Sequence, residues 1–165
     1  MGRLQDEIGK RNPFDSLEQE AVLNLFRTSD RLQHRFAQLF AAHGLTSSQY
    51  NVLRILRGEG RPLQCMEIAQ RTLTVVPGIT GLIDRLELKN PPLVQRQRSS
   101  EDRRVIHVAL TPRGAELLAQ LDEPVQQLHR QVLGHFSPEE VAVLNRLLEK
   151  ARLPFESTPT DGPLP

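Results

Sequence analysis

The spacing of apolar residues changes character twice in this chain, and the two changes limit the fold more than any other feature. Up to Lys89 apolar side chains recur every three or four residues, as on one face of an α-helix. From Leu93 to Arg98 and from Arg104 to Leu110 the patterns are extended, with Ile106, Val108 and Leu110 alternating, and from Thr111 the helical rhythm returns. Asn90-Pro91-Pro92 enforces the first change, because proline lacks a backbone N–H and drives the residue before it out of the α region. The polar run Ser99-Ser100-Glu101-Asp102-Arg103 supplies a turn, so the interruption reads as a β-hairpin set among helices.

The helices can be bounded by their caps. Leu17, Ala21, Val22, Leu25, Phe26, Leu32, Phe36, Leu39 and Phe40 predict a long amphipathic helix from Asp15 or Ser16 to His43, stopped by Gly44. Thr46-Ser47-Ser48-Gln49 has the form of a capping box and opens a helix through Tyr50, Val52, Leu53, Ile55 and Leu56, which Gly58 and Gly60 end. Short helical patterns around Met66–Arg71 and from about Val75 to Lys89 flank Thr72-Leu73-Thr74, the spacing of a helix-turn-helix. Thr111-Pro112 starts the next helix, which carries Ala115 through Val132 and is expected to kink at Pro124. Ser137-Pro138-Glu139-Glu140 is a second capping box, opening a helix to Ala151.

A helix-turn-helix followed directly by a hairpin predicts a winged helix: mainly α, with a small β-hairpin wing. The expected organisation is an N-terminal dimerisation helix over 1–44, a DNA-binding lobe over 45–112, C-terminal dimerisation helices over 113–151 and a flexible proline-rich tail over 152–165. Dimerisation is expected because Phe14, Leu17, Val132, Leu133, Phe136, Val143, Leu144 and Leu147 form apolar stripes near the two ends that a lone chain does not easily hide.

Composition narrows the function by exclusion. With 21 basic and 20 acidic residues the chain has a net charge of only +1, so attraction to a polyanion must come from a local excess. That excess lies between Arg71 and Arg104, where seven basic residues face four acidic ones. A single cysteine excludes an internal disulfide, and no apolar run resembles a signal peptide or a membrane span, which predicts a cytoplasmic protein. The histidines are scattered, no metal-ligand spacing occurs, and no nucleotide-binding or nucleophile motif is present. No metal, cofactor or catalytic residue is expected, the chain is not read as an enzyme, and Cys65 is read as a core residue.

Thr74-Val75-Val76-Pro77-Gly78-Ile79-Thr80-Gly81-Leu82-Ile83-Asp84-Arg85-Leu86-Glu87, then Leu93-Val94, Glu101-Asp102-Arg103-Arg104 and Leu110-Thr111-Pro112-Arg113-Gly114, resembles the MarR family of bacterial regulators. That family is marked by a recognition helix ending in Asp-Arg-Leu-Glu, an Asp-x-Arg wing and Leu-Thr-x-x-Gly at the next helix, and the order of helices matches over about residues 15 to 151. The chain departs from the family in Gln64-Cys65-Met66-Glu67-Ile68-Ala69, where a Thr-x-x-Glu-Leu-Ala cap is usual. It departs again in Lys89-Asn90-Pro91-Pro92, where a basic residue and glycine usually link helix to wing.

The resemblance implies a homodimeric repressor that binds double-stranded DNA at an inverted-repeat operator and is released by a small phenolic or lipophilic anionic effector, with Tyr50, His34 or His43 beside it. Thr74, Pro77, Gly78 and Thr80 start the recognition helix, where small residues leave the backbone free to approach a groove and Thr80 can touch a base edge. Arg85 follows one turn later, although Asp84 and Glu87 offer it an internal ion pair. Arg96, Arg98 and Arg103 are assigned to phosphates, Asp102 to holding the wing turn, and Arg104 to the minor groove. The alternative is a winged-helix module for protein assembly without DNA binding, whose wing would have no need of these arginines.

Overall fold

The computed structural model describes residues 3–72, 78–98 and 105–156, apart from the side chains of Arg3 and Glu156. In chain order the elements are α1 (Arg3–Glu7), α2 (Leu17–Ala41), α3 (Ser47–Glu59), α4 (Cys65–Gln70), α5 (Ile79–Glu87), β1 (Val94–Arg98), β2 (Ile106–Leu110), α6 (Pro112–Leu133) and α7 (Pro138–Glu156). The fold is mainly helical with one antiparallel hairpin, as the change of period predicts. It divides into two compact units, Met1–Asp122 and Glu123–Pro165.

The helix ends follow side-chain chemistry. Ser16 Oγ accepts from the Gln19 N–H at 3.1 Å, and the Gln19 side chain accepts from the Asp15 N–H at 2.9 Å. Thr46 and Gln49 satisfy each other's backbone N–H at 3.2 and 3.0 Å, and Ser137 and Glu140 do the same at 3.2 and 2.8 Å. At α4 the Glu67 carboxylate accepts from the Gln64 N–H at 2.8 Å and from Arg61 at 2.8 Å, so a cap forms there without the usual threonine. These two contacts, Arg61 first, hold the Glu67 carboxyl below its ordinary pKa.

Two features differ from expectation. A short helix, α1, forms where no periodic pattern could announce it, with Leu4 and Gln5 buried and Glu7 paired to Arg31 of α2 at 3.3 Å. Helix α7 continues past Ala151 to Glu156 with Pro154 inside it, so residues 152–156 are helical rather than part of a tail, and 157–165 lie outside the described residues.

Aliphatic side chains build the core of the first unit: Val52 and Leu53 of α3, Leu63, Ile68 of α4, Ile83 and Leu86 of α5, Val94 and Val108 of the hairpin, and Leu118 and Leu121 of α6 are all buried. β1 and β2 pair in the register Val94↔Leu110, Arg96↔Val108 and Arg98↔Ile106. Leu63 adds an isolated antiparallel bridge, exchanging backbone bonds with Val108 at 3.0 and 2.7 Å, which ties the entry to α4 onto the hairpin. Tyr50 of α3 stacks on Phe40 of α2 with ring centroids 4.1 Å apart.

Candidate nucleic-acid interface

Helix α5 is positioned by its apolar side. Leu82, Ile83 and Leu86 are buried and pack toward α3 and α4, which turns Thr80, Asp84, Arg85 and Leu88 outward. Gly78 precedes the helix with φ +71°, a left-handed conformation that side chains with a Cβ adopt at a cost, and no side chain caps the first turn. Thr80 is exposed in this first turn.

The two acids of the Asp-Arg-Leu-Glu run do not serve Arg85. Asp84 and Glu87 lie three apart on one side of α5, and both grip Arg96 of β1. One Arg96 nitrogen donates to Asp84 at 2.5 Å and another to Glu87, whose second oxygen accepts from the Arg96 backbone N–H at 2.9 Å. The Arg96 side chain is only 26% exposed, and the carboxylates, Asp84 foremost, raise its pKa further above the ordinary arginine value. Arg96 thus clamps the root of the wing to α5, where the sequence had assigned it to phosphate. The signal was there to read: two carboxylates at helical spacing, followed directly by a strand with an inward-facing arginine.

The remaining basic residues separate cleanly. Arg71 donates to Glu59 at 2.7 Å and to the Glu67 carbonyl at 3.0 Å, and Lys89 donates to the Gly44 carbonyl at 2.7 Å. Arg85 and Arg98 are exposed and have no hydrogen-bond or ion-pair partner among the described residues. Arg98 shares a strand face with Val94 and Arg96, but lies beyond the clamp toward the hairpin tip. Thr74, Pro77, Asp102, Arg103 and Arg104 lie outside the described residues.

The hairpin is held at its other end by Gly114. Thr111 caps α6 by accepting from the Gly114 N–H at 3.0 Å while its hydroxyl donates to the Pro92 carbonyl at 2.7 Å. A Cβ at Gly114 would stand 2.3 Å from the Leu93 carbonyl oxygen, so helix and strand approach closely only because the residue is glycine. Cys65 is half-buried rather than a core residue, no His/Cys/Asp/Glu group that could hold a metal occurs among the described residues, and no described helix is long and apolar enough to cross a membrane.

The MarR family model matches residues 45–106, from the turn before α3 into β2. The homoprotocatechuate degradative operon repressor of Escherichia coli is 26% identical over 129 residues, 78% of this chain and 85% of that protein. Among solved structures, a MarR transcription factor from Planctomyces limnophilus is 45% identical, with a TM-score of 0.62 over 83% of this chain and 98% of that one. Bordetella bronchiseptica BpsR, described by a mechanism in which 6-hydroxynicotinic acid regulates its DNA binding, is 26% identical with a TM-score of 0.69 over 80% of this chain and 98% of its own.

Proposed function

This chain belongs to the MarR family of transcription regulators, and from that premise we propose that it represses transcription as a homodimer on an inverted-repeat operator and releases it on binding a small phenolic or lipophilic anion. The observation that carries the reading is the division of charge in the DNA-binding lobe. Asp84 and Glu87 are neutralised internally by Arg96, while Thr80, Arg85 and Arg98 stay outward and unpaired among the described residues. Such a surface offers phosphates its cations while the charge of the neighbouring acids is balanced by Arg96. Thr80 reads a base edge, Arg85, Arg98 and Arg103 take phosphates, and Arg104 makes the minor-groove contact, with Asp102 holding the wing turn. The named repressor and the effector-regulated BpsR support repression and release. Half-buried Tyr50, stacked on Phe40, is the aromatic surface an effector would use.

Selection from random duplex DNA tests the proposal. The expected product is an inverted repeat with half-sites about 10 base pairs apart, one helical turn. Thr80→Ala is expected to change the preferred bases within each half-site. Arg98→Ala is expected to weaken all sequences alike and lower the salt slope by about 1. Equal losses for both variants would remove Thr80 from base reading, and failure to select any duplex would favour the assembly module.

The homodimer rests on apolar side chains that each unit leaves exposed. Leu17 is 81% and Phe26 68% exposed in the first unit, and Leu133, Phe136, Val143 and Leu147 are exposed in the second. Light scattering at micromolar concentration is expected to give about twice the 18.7 kDa chain mass, with melting that depends on protein concentration. A mass of one chain at that concentration would end the two-fold model.

A further inference from the structure

We propose that Gly81 sets how deeply α5 seats in the DNA groove and so makes base reading by Thr80 possible; the inference rests on the DNA-binding reading above. Glycine is an unfavourable residue inside a helix, and its usual structural excuses do not hold here. Gly81 lies within α5, its φ is not positive, and a Cβ built on it meets nothing within 4 Å. Gly114 shows the contrast, since there a Cβ would run into backbone at 2.3 Å. Nothing inside the described fold requires the missing side chain at Gly81; Gly58 is equally open within α3, and what sets Gly81 apart is its place on the outward side of α5.

Its position says what approaches. Gly81 is in the first turn, on the side of α5 opposite buried Ile83 and Leu86, with Thr80 before it and Asp84, Arg85 and Leu88 following on the same outward side. Thr80 is the short member of this surface, and a threonine touches a base edge only when the helix backbone itself comes close to the groove floor. A side chain at position 81 would stand beside it and hold the helix off. Arg85, with its long flexible side chain, tolerates a shallower seat. The depth set at Gly81 thus separates base reading from phosphate contact along one helix.

The test uses the full-length chain, the duplex selected by the parent protein and a scrambled duplex of the same length. Gly81→Ala and Gly81→Leu are expected to melt at or above the parent, since both residues favour helix and the site is open. Their affinity for the selected duplex is expected to fall about tenfold or more, the scale of one good base contact, with little change on scrambled DNA. Thr80→Ala, costly in the parent, is expected to cost little once position 81 carries leucine, because the contact is already lost. Parent-like affinity in both Gly81 variants, or a Thr80→Ala penalty that adds in full to that of Gly81→Leu, would overturn the proposal. A parent protein that selects no duplex would overturn the DNA-binding reading and this inference with it, an outcome distinct from either.

Discussion

Gly114→Ala is expected to lower the melting temperature by about 4–8 °C, a large effect for the addition of one methyl group. The added carbon would stand 2.3 Å from the Leu93 carbonyl oxygen and 2.7 Å from Leu110 Cδ1. The carbonyl has no freedom to withdraw, because it accepts from the Thr111 N–H at 3.1 Å and is followed by buried Val94. Overpacking against backbone belongs at the upper end of its usual cost, about 3 kcal/mol, of which alanine's better helix propensity offsets about 1 kcal/mol. The net of about 2 kcal/mol gives the stated shift for a chain of this size. Gly58→Ala is the control: it lies inside α3, its Cβ would meet nothing within 4 Å, and it is expected to melt at or above the parent. Thermal melts of the two variants beside the parent check both statements. A Gly114→Ala protein as stable as the parent would mean that β1 and α6 do not meet as closely as described.

Arg96→Gln is expected to reduce operator affinity by about tenfold and stability by about 1–2 kcal/mol, and the pattern of loss matters more than its size. Removing the guanidinium leaves Asp84 and Glu87 as unbalanced carboxylates on the recognition helix, repelling each other and the phosphates. It also frees β1 from α5, so the wing loses its aim. The stability loss is small because Asp84 is half exposed and solvent screens that part of the network. Because Arg96 works by positioning, the salt slope of binding is expected to stay near the parent's, whereas Arg98→Ala lowers it. Adding Glu87→Gln to Arg96→Gln is expected to restore part of the affinity, since the second change removes a charge the first left unbalanced. A salt slope reduced by about 1 in Arg96→Gln, with no recovery in the double variant, would return Arg96 to the phosphates.

Much of this protein is local and therefore legible in one dimension. Caps at Ser16, Thr46, Thr111 and Ser137 act over three or four residues, so a few adjacent side chains disclose where each helix begins. The switch from helical to alternating period at Asn90-Pro91-Pro92 likewise depends only on proline and on which faces are apolar, and β1, β2 and α6 follow it. The ordered motifs then placed Gly78, Thr80, Arg85 and Arg98 on the elements where they stand.

Other features depend on what another part of the chain supplies. Helix α1 is too short to show a period and is held by burial of Leu4 and by Arg31 of α2. Pro154 sits inside a helix that a reading of the sequence would end at Ala151. Above all, the partner of Asp84 and Glu87 is ambiguous along the chain: Arg85 is their neighbour in sequence, but Arg96 of β1, nine and twelve residues away, is the arginine that binds both. Which arginine is left unpaired among the described residues and which is spent within the fold is a question of charge distances in three dimensions. The sequence could count the cations, and only the packing of β1 against α5 could sort them.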